Sequence, residues 1–275
     1  MTSPDKSLIV LAAGRGTRLG AAAEGKPKAA VELAGRPLLS WQLDAARAAG
    51  FSRLAVMRGY RPDQLPTLAS DVRVLDNPVF DRTNMVYTLY LSRELWGQGV
   101  VISYGDIVYA PGVLNAVWAA AGESPSGMGV VVDRSWQGYW QRRFGDPLLD
   151  AETLKLDGMR LTEIGQKPSS LDQIQGQYIG MTCFRGQGVT KLQTLLERAA
   201  AAHQRGERLL SADRAFPDAY MTDVLQRLIT DNETLRPAFI DGDWLEIDTP
   251  ADLALASQCV RRVEIDGRAI LEIHR

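Results

Sequence analysis

The sequence predicts an α/β fold, a mostly parallel sheet covered by helices on both faces. Three observations predict it. Apolar runs of strand length recur at residues 8–12, 54–57, 72–75, 100–104 and 128–132. Amphipathic stretches of helix length lie between them, and two of these, 37–49 and 111–121, carry proline at the first turn, where its missing N–H leaves no bond unmade. The runs are rich in valine, isoleucine and leucine, as strands buried on both faces are.

Taken in order, the run 8–12 opens directly onto a glycine-containing loop, and the run 100–104 ends at Gly105-Asp106. In such sheets ligands bind beyond the carboxyl ends of the strands, so both places lie where a ligand is expected. After residue 133 the pieces shorten. Residues 153–156, 161–164 and 177–184 read as antiparallel strands, with Asp157-Gly158 as a tight turn between the first two. They are taken as a small insertion facing the substrate. Residues 189–202 and 221–231 read as helices and 235–240 as a strand. Residues 262–265 and 269–273 flank Asp266-Gly267, the signal of a type I′ hairpin. No internal repeat or low-complexity linker interrupts the chain, so residues 1–275 are expected to form one domain.

The chain has 275 residues, 45% of them hydrophobic, enough for a sizeable core. With 31 basic and 33 acidic residues the net charge is −2, which offers no field for nonspecific binding to nucleic acid or an anionic membrane. Small molecules are the expected partners. Cys183 and Cys259 are the only cysteines, too few for a disulfide framework or a cysteine zinc site, and a reducing cytoplasm fits. No apolar run approaches the roughly 20 residues that span a bilayer, and Met1-Thr-Ser-Pro-Asp-Lys6 lacks an apolar signal core, so a cytoplasmic location without a membrane partner is expected. The oligomeric state stays open, a homodimer included.

The loop after the first run reads Leu11-Ala-Ala-Gly-Arg-Gly-Thr-Arg-Leu-Gly20 and leads to Gly25-Lys-Pro-Lys-Ala29. Glycines let backbone N–H groups approach a polyphosphate, and Arg15, Arg18, Lys26 and Lys28 supply countercharge. Two common phosphate motifs do not fit. A dinucleotide fingerprint needs glycine where Leu19 stands, and a Walker A loop needs Ser or Thr where Pro27 stands.

The two halves, 11–19 and Pro27-Lys28, resemble the signature of the nucleotidyltransferases that activate sugar phosphates and related phosphates. The resemblance covers about the first 110 residues well and the rest more loosely. It implies a Rossmann-like, mostly parallel but mixed sheet of the nucleotide-diphospho-sugar transferase type, with a small antiparallel acceptor-binding insertion and a C-terminal hairpin. It divides the domain into a nucleotide-binding half, 1–133, an acceptor-binding half, 134–260, and the hairpin, 261–275. It also implies that Leu11, Ala12, Ala13, Gly14, Gly16 and Thr17 cradle the nucleotide, with Arg15 at a variable position, and that Arg18 and Lys28 meet the triphosphate as catalytic cations. Lys26 is an extra cation outside the pattern.

A phosphate monoester is largely dianionic near neutrality, its second pKa being about 6, so transfer needs no protein base. His203 and His274, the only histidines, receive no role. Magnesium prefers oxygen ligands. The resemblance implies that Asp106, after the run 100–104, and Asp248, which ends Trp244-Leu-Glu-Ile-Asp248, hold Mg²⁺. Asp106 also reads as a turn residue, and Asp248 as a residue ahead of a helix starting at Pro250 with Thr249 as its cap.

Two segments compete for the nucleobase, Arg58-Gly59-Tyr60 and Thr83-Asn84-Met-Val-Tyr-Thr88-Leu89. The second resembles a stretch of the phosphocholine and aminoethylphosphonate cytidylyltransferases, and this favours CTP. It also reads as a helix start capped by Thr83 or Asn84, with Met85, Val86 and Leu89 at core spacing. For the acceptor, Asp133, Trp136, Trp140 and Arg142 bring acid, aromatic and basic groups together, a mixture suited to a zwitterion. Lys167, Tyr178 and Gly180 join them by resemblance. The reading is transfer from CTP to a small phosphate or phosphonate acceptor, such as phosphocholine or 2-aminoethylphosphonate, with release of pyrophosphate. The alternatives are a sugar-1-phosphate nucleotidyltransferase using UTP, GTP or dTTP and, more distantly, a glycosyltransferase of related architecture, which would need Asp-x-Asp where Asp106-Ile-Val108 stands.

Overall fold

The computed structural model describes residues 6–23 and 25–275. The opening segment, residues 1–5, lies outside the described residues, as does Glu24 within the stretch compared with a Walker A loop. The chain begins with β1 (Ser7–Ala12), a small hairpin of β2 (Glu32–Leu33) and β3 (Arg36–Pro37), and α1 (Leu38–Ala48). Pro37 is the N-cap of α1 rather than part of its first turn. There follow β4 (Arg53–Arg58), β5 (Val72–Asp76), α2 (Met85–Leu91), β6 (Gly99–Tyr104), β7 (Ile107–Tyr109), α3 (Pro111–Glu123) and β8 (Met128–Asp133). The second half runs through α4 (Trp136–Phe144), β9 (Leu154–Asp157), β10 (Arg160–Ile164), β11 (Gln177–Arg185), α5 (Gln187–Gln204), α6 (Met221–Thr230) and β12 (Leu235–Ile240). It closes with β13 (Trp244–Glu246), α7 (Pro250–Cys259), β14 (Val260–Ile265) and β15 (Arg268–Ile273).

Seven strands form one sheet in the order β12-β8-β11-β6-β1-β4-β5. All run parallel except β11, which is antiparallel to both β6 and β8. The predicted mixed α/β sheet is therefore present, with one correction. Residues 177–184 do not belong to an insertion but form the fifth strand from the β5 edge. Only β9 and β10 make a separate hairpin, and its turn is Gly158-Met159, one residue later than expected, because Asp157 pairs with Arg160. The β14–β15 hairpin turns at Asp266-Gly267 as predicted, with positive φ at both residues, as a type I′ turn requires.

Side chains alternate across the sheet, so each strand feeds two cores. Leu8, Val10, Leu54, Val56 and Val101 point to the layer of α1 and α3; Ile9, Leu11, Ala55, Met57 and Ile102 point to the layer containing α2, α5 and α6. The continuous apolar runs of the sequence reflect this two-sided burial. Cys183 and Cys259 are buried and unbridged. Among the described residues no helix is long and apolar enough to cross a membrane.

Candidate active site

The carboxyl ends of β1 and β6 lie side by side, and the backbone ties them together through Gly105 N–H donating to Leu11 O at 3.0 Å. Beyond β1, Tyr60 N–H donates to Ala13 O at 3.0 Å, so Gly59 and Tyr60 brace the back of the loop. The Arg15 guanidinium lies 5.6 Å from the centre of the Tyr60 ring. Leu19 is fully buried and fixes the far side of the loop. Gly16 has φ +66°, and a Cβ there would lie 2.9 Å from the Lys28 Cβ, so only glycine lets the lysine segment close on the loop. Thr17 is exposed at the start of the following 3₁₀ turn.

Lys28 reaches across to the carboxylates. Its Nζ donates to Asp106 Oδ2 at 2.7 Å and to Asp248 Oδ1, while Arg18 Nη2 stands 2.6 Å from Asp248 Oδ2. The four charged residues that the sequence singled out thus meet at one point. Arg18 remains 63% exposed there, against 6% for the Asp248 side chain, and so can swing onto a ligand. Glu246 joins them: oxygens of Asp106, Glu246 and Asp248 lie within 4.8 Å of one another. Asp106 Oδ1 is buried without a hydrogen-bond partner, which marks a place for a positive group that the protein does not supply. Burial raises the Glu246 carboxyl above its ordinary value, against the pull of Arg143 and with a further push from Asp106.

Two cavities meet at this cluster. The first, about 180 Å³, is lined by the loop from Leu11 to Gly14, Gly16, Lys28 and Asp106 on one side and by Asn84, Met85 and Thr88 on the other. The second, about 220 Å³, takes in Arg18, Glu246 and Asp248. Met85 and Tyr104 form part of both walls. A profile of the MobA-like NTP transferase domain matches residues 8–216. The chain belongs to that family. This nucleotidyltransferase is 34% identical over 254 residues to the CTP:phosphoglutamine cytidylyltransferase of Campylobacter jejuni, covering 89% of this chain and 96% of that protein. It is 32% identical over 103 residues to the choline-phosphate cytidylyltransferase of Streptococcus pneumoniae, 37% of this chain and 45% of the relative. The solved CTP:phosphocholine cytidylyltransferase of Streptococcus pneumoniae superposes with a TM-score of 0.69 at 19% identity, over 92% of this chain and 98% of that one, and so shares the nucleotidyltransferase's fold.

Around the first cavity, Asn84 is the N-cap of α2, its Oδ1 accepting from Met85 N–H at 2.8 Å. The helix-start reading of this segment therefore holds, and it places Asn84 and Thr88 in the cavity wall at the same time. Thr88 is buried, accepting from Asn77 Nδ2 at 3.0 Å. Thr249 likewise caps α7 in a capping box with Asp252, which leaves Asp248 free for the cluster.

The acceptor-side expectations fare unevenly. Trp140, Tyr178 and Gly180 line the second cavity. Asp133 does not: it is fully buried, its carboxylate taken by Trp244 Nε1 at 2.8 Å, by Arg275 and by Ser135 N–H. Trp136 is buried against Trp140. Arg142 points to Cys259 Sγ at 3.4 Å, and Lys167 donates to the Leu149 carbonyl at 3.1 Å, neither on the cavity. For Arg142 the reason is that residues 136–144 form a helix whose inward face carries Trp136, Tyr139, Trp140 and Arg143 and so turns Arg142 away. Tyr139 Oη accepts from Glu246 N–H at 3.0 Å, and Arg143, with no exposed side-chain surface, reaches Glu246 Oε2 at 2.5 Å and Asp252 Oδ1 at 2.8 Å. The aromatic and basic cluster thus mainly braces Glu246.

Sequence reasoning missed Glu246, Asp150 and Glu152, all in the second cavity wall. Glu246 had a legible signal, since it precedes Asp248 by two in an extended segment and so shares its face.

Proposed function

We propose that this chain transfers CMP from CTP to a small phosphate- or phosphonate-bearing acceptor. An acceptor oxygen attacks the α-phosphorus of CTP and forms a P–O–P bond; the bond from that phosphorus to the oxygen bridging to the β-phosphate breaks, and pyrophosphate leaves with the electron pair. The observation that carries the reading is that two cavities, one against the glycine loop and one against Trp140 and Tyr178, meet at Lys28, Arg18 and three carboxylates. Nucleotide and acceptor then approach the same point from opposite sides. A nucleotide-binding half to residue 133 is supported by the lining of the first cavity, all before residue 107, while the second cavity draws on both halves, with Arg18, Met85 and Tyr104 beside residues 140–248. The choice of cytidine is supported by relatives named for CTP or CMP, including the CMP-5'-(3-aminopropyl)phosphonate synthase of Streptomyces rubellomurinus, 32% identical over 118 residues, 19% of that protein.

Asp106 and Asp248, with Glu246 beside them, would hold Mg²⁺, and the partnerless Asp106 Oδ1 and the all-oxygen donor set fit a hard cation. When bound, the ion neutralises charge on the phosphates. Lys28 moves from its carboxylates to the triphosphate, and the exposed Arg18 follows. Backbone N–H groups of the Gly14–Gly16 loop orient the phosphates. No base is required, since the acceptor oxygen is already ionised near neutrality, its second pKa being about 6.

The test crosses CTP, UTP, ATP and GTP with phosphocholine, 2-aminoethylphosphonate, phosphorylated amino acids and sugar 1-phosphates, reading pyrophosphate release. CTP is expected to exceed the others, because a site that pairs one base leaves buried polar groups unmet by another. Asn84→Asp keeps the helix cap but removes the amide donor, and is expected to erode the preference for CTP. A preference for UTP or a purine nucleotide would move the chain to the sugar-activating branch.

A further inference from the structure

The second cavity holds a pair of acids apart from the metal-type cluster. Asp150 and Glu152 line it together with aromatic residues that include Trp140, Tyr178 and Tyr220, so both carboxylates share one space with aromatic rings, a seat for a cation. Glu152 lines the cavity as an exposed residue, with protein atoms crowded around it. Burial, with like charge from Asp150 and Asp223 and against the pull of Arg214, pushes its carboxyl up to about 7. A charge that the protein itself leaves undercompensated is one that a cationic ligand relieves.

A cation stands at the edge of the same place. Arg214 Nη1 lies 2.9 Å from Asp223 Oδ1, its guanidinium is stacked 4.4 Å from the centre of the cavity-lining Tyr220 ring, and the side chain is 40% exposed. A second donor waits in the cavity wall: Trp140 is 3% exposed and its indole N–H has no partner. A buried donor without a partner marks a place for an anionic or carbonyl oxygen from a ligand. Two acids in the cavity wall, Asp150 and Glu152, thus stand near a cation, Arg214, packed on the Tyr220 that shares that wall.

We propose that the nonreacting end of the acceptor is an α-amino acid zwitterion, its ammonium received by Glu152 with Asp150 and its carboxylate by Arg214. The assignment rests on the transfer reading above. A quaternary ammonium offers Glu152 no N–H and Arg214 no anion, and a simple aminoalkyl chain satisfies only the acids. No bond changes at this end; the phosphorus end reacts as already written.

Three matched acceptors separate the groups: 2-amino-6-phosphonohexanoate, 5-aminopentylphosphonate, which lacks the carboxylate, and 6-phosphonohexanoate, which lacks the ammonium. Assayed with CTP and magnesium by pyrophosphate release, the amino acid is expected to have kcat/KM at least tenfold above either truncated form. Arg214→Gln is expected to shrink its advantage over 5-aminopentylphosphonate at least tenfold, and Glu152→Gln its advantage over 6-phosphonohexanoate. Arg214→Lys, which keeps the charge but not the fork, is expected to give an intermediate loss and serves if the glutamine variant does not fold. A truncated acceptor used as well as the amino acid, or turnover of phosphocholine alone, would overturn the assignment while leaving the transfer reading in place. No pyrophosphate from any acceptor with any nucleotide would overturn both.

Discussion

Lys28 donates to two carboxylates at once, and this position sets what its loss does. Lys28→Ala leaves Asp106 and Asp248 short of a counterion and deletes a cation aimed at the triphosphate. In single-turnover kinetics with saturating nucleotide it is expected to slow transfer on the order of a hundredfold, as the loss of other preorganised electrostatic groups does, and far more than Lys26→Ala. Equal effects would show that the active lysine has been misplaced. Asp106→Ala and Asp248→Ala are each expected to remove most magnesium-dependent turnover without unfolding the chain, read as rate against magnesium concentration beside a melting curve. Glu152 gives a prediction of opposite sign for stability. Its folded pKa lies above its ordinary value, so the folded state favours the protonated form and loses stability as pH rises from the ordinary carboxylate range through about 7. Glu152→Gln is therefore expected to raise the melting temperature at pH 8 and not near pH 4. At this scale the sequence was most legible where a motif fixed the residue: Arg18, Lys28, Asp106 and Asp248 meet although Lys28 and Asp248 are 220 positions apart. It was least legible where only composition spoke. Asp133, Arg142 and Lys167 had the right chemistry, but burial and helix facing, which composition does not carry, turned them elsewhere.

Elements show the same limit in another form. A run such as 177–184 says strand, yet nothing in its pattern says whether the strand lies in the main sheet or beside it, and β11 enters the sheet between β6 and β8. Its antiparallel direction follows from where the chain comes from, which is decided by long-range pairing. The consequence for the site is a register shift against β8 between Tyr178 and Thr182, a bulge of the kind that re-aims side chains near active sites. Gly180 sits in it with φ +81°, and a Cβ there would lie 2.5 Å from the Tyr104 ring, which walls both cavities. Gly180→Ala is thus expected to destabilise by about 1–3 kcal/mol, the usual cost of a strained backbone position, and to displace Tyr104 as well. Urea denaturation checks the first effect. The second should appear as weaker binding of nucleotide and acceptor together, which a purely structural loss elsewhere in the sheet would not produce.

Across the whole molecule the site depends on segments that are far apart in sequence and meet only in the fold: the loop after β1, the β6–β7 turn and the β13 segment. What joins them from behind is a buried ion pair. Asp133, at the end of β8, is fully buried and binds Arg275 as well as the indole of Trp244, and Arg275 lies 4.5 Å from the centre of the Tyr139 ring. Tyr139 in turn holds the backbone of Glu246, and Trp244 walls the second cavity. Removing one partner of a buried pair leaves an uncompensated charge, a loss of about 3–5 kcal/mol, whereas removing both charges is far milder. Arg275→Met is therefore expected to lower the urea midpoint strongly, and the double change Arg275→Met with Asp133→Asn to recover much of it, since the neutral amide can still accept from Trp244. Because the lost brace lies under Trp244 and Glu246 rather than under the glycine loop, the single variant should raise KM for the acceptor more than KM for CTP. Equal rises in both constants would mean that the pair stabilises the molecule as a whole and does not position the acceptor side, even if the predicted loss of stability were found in full.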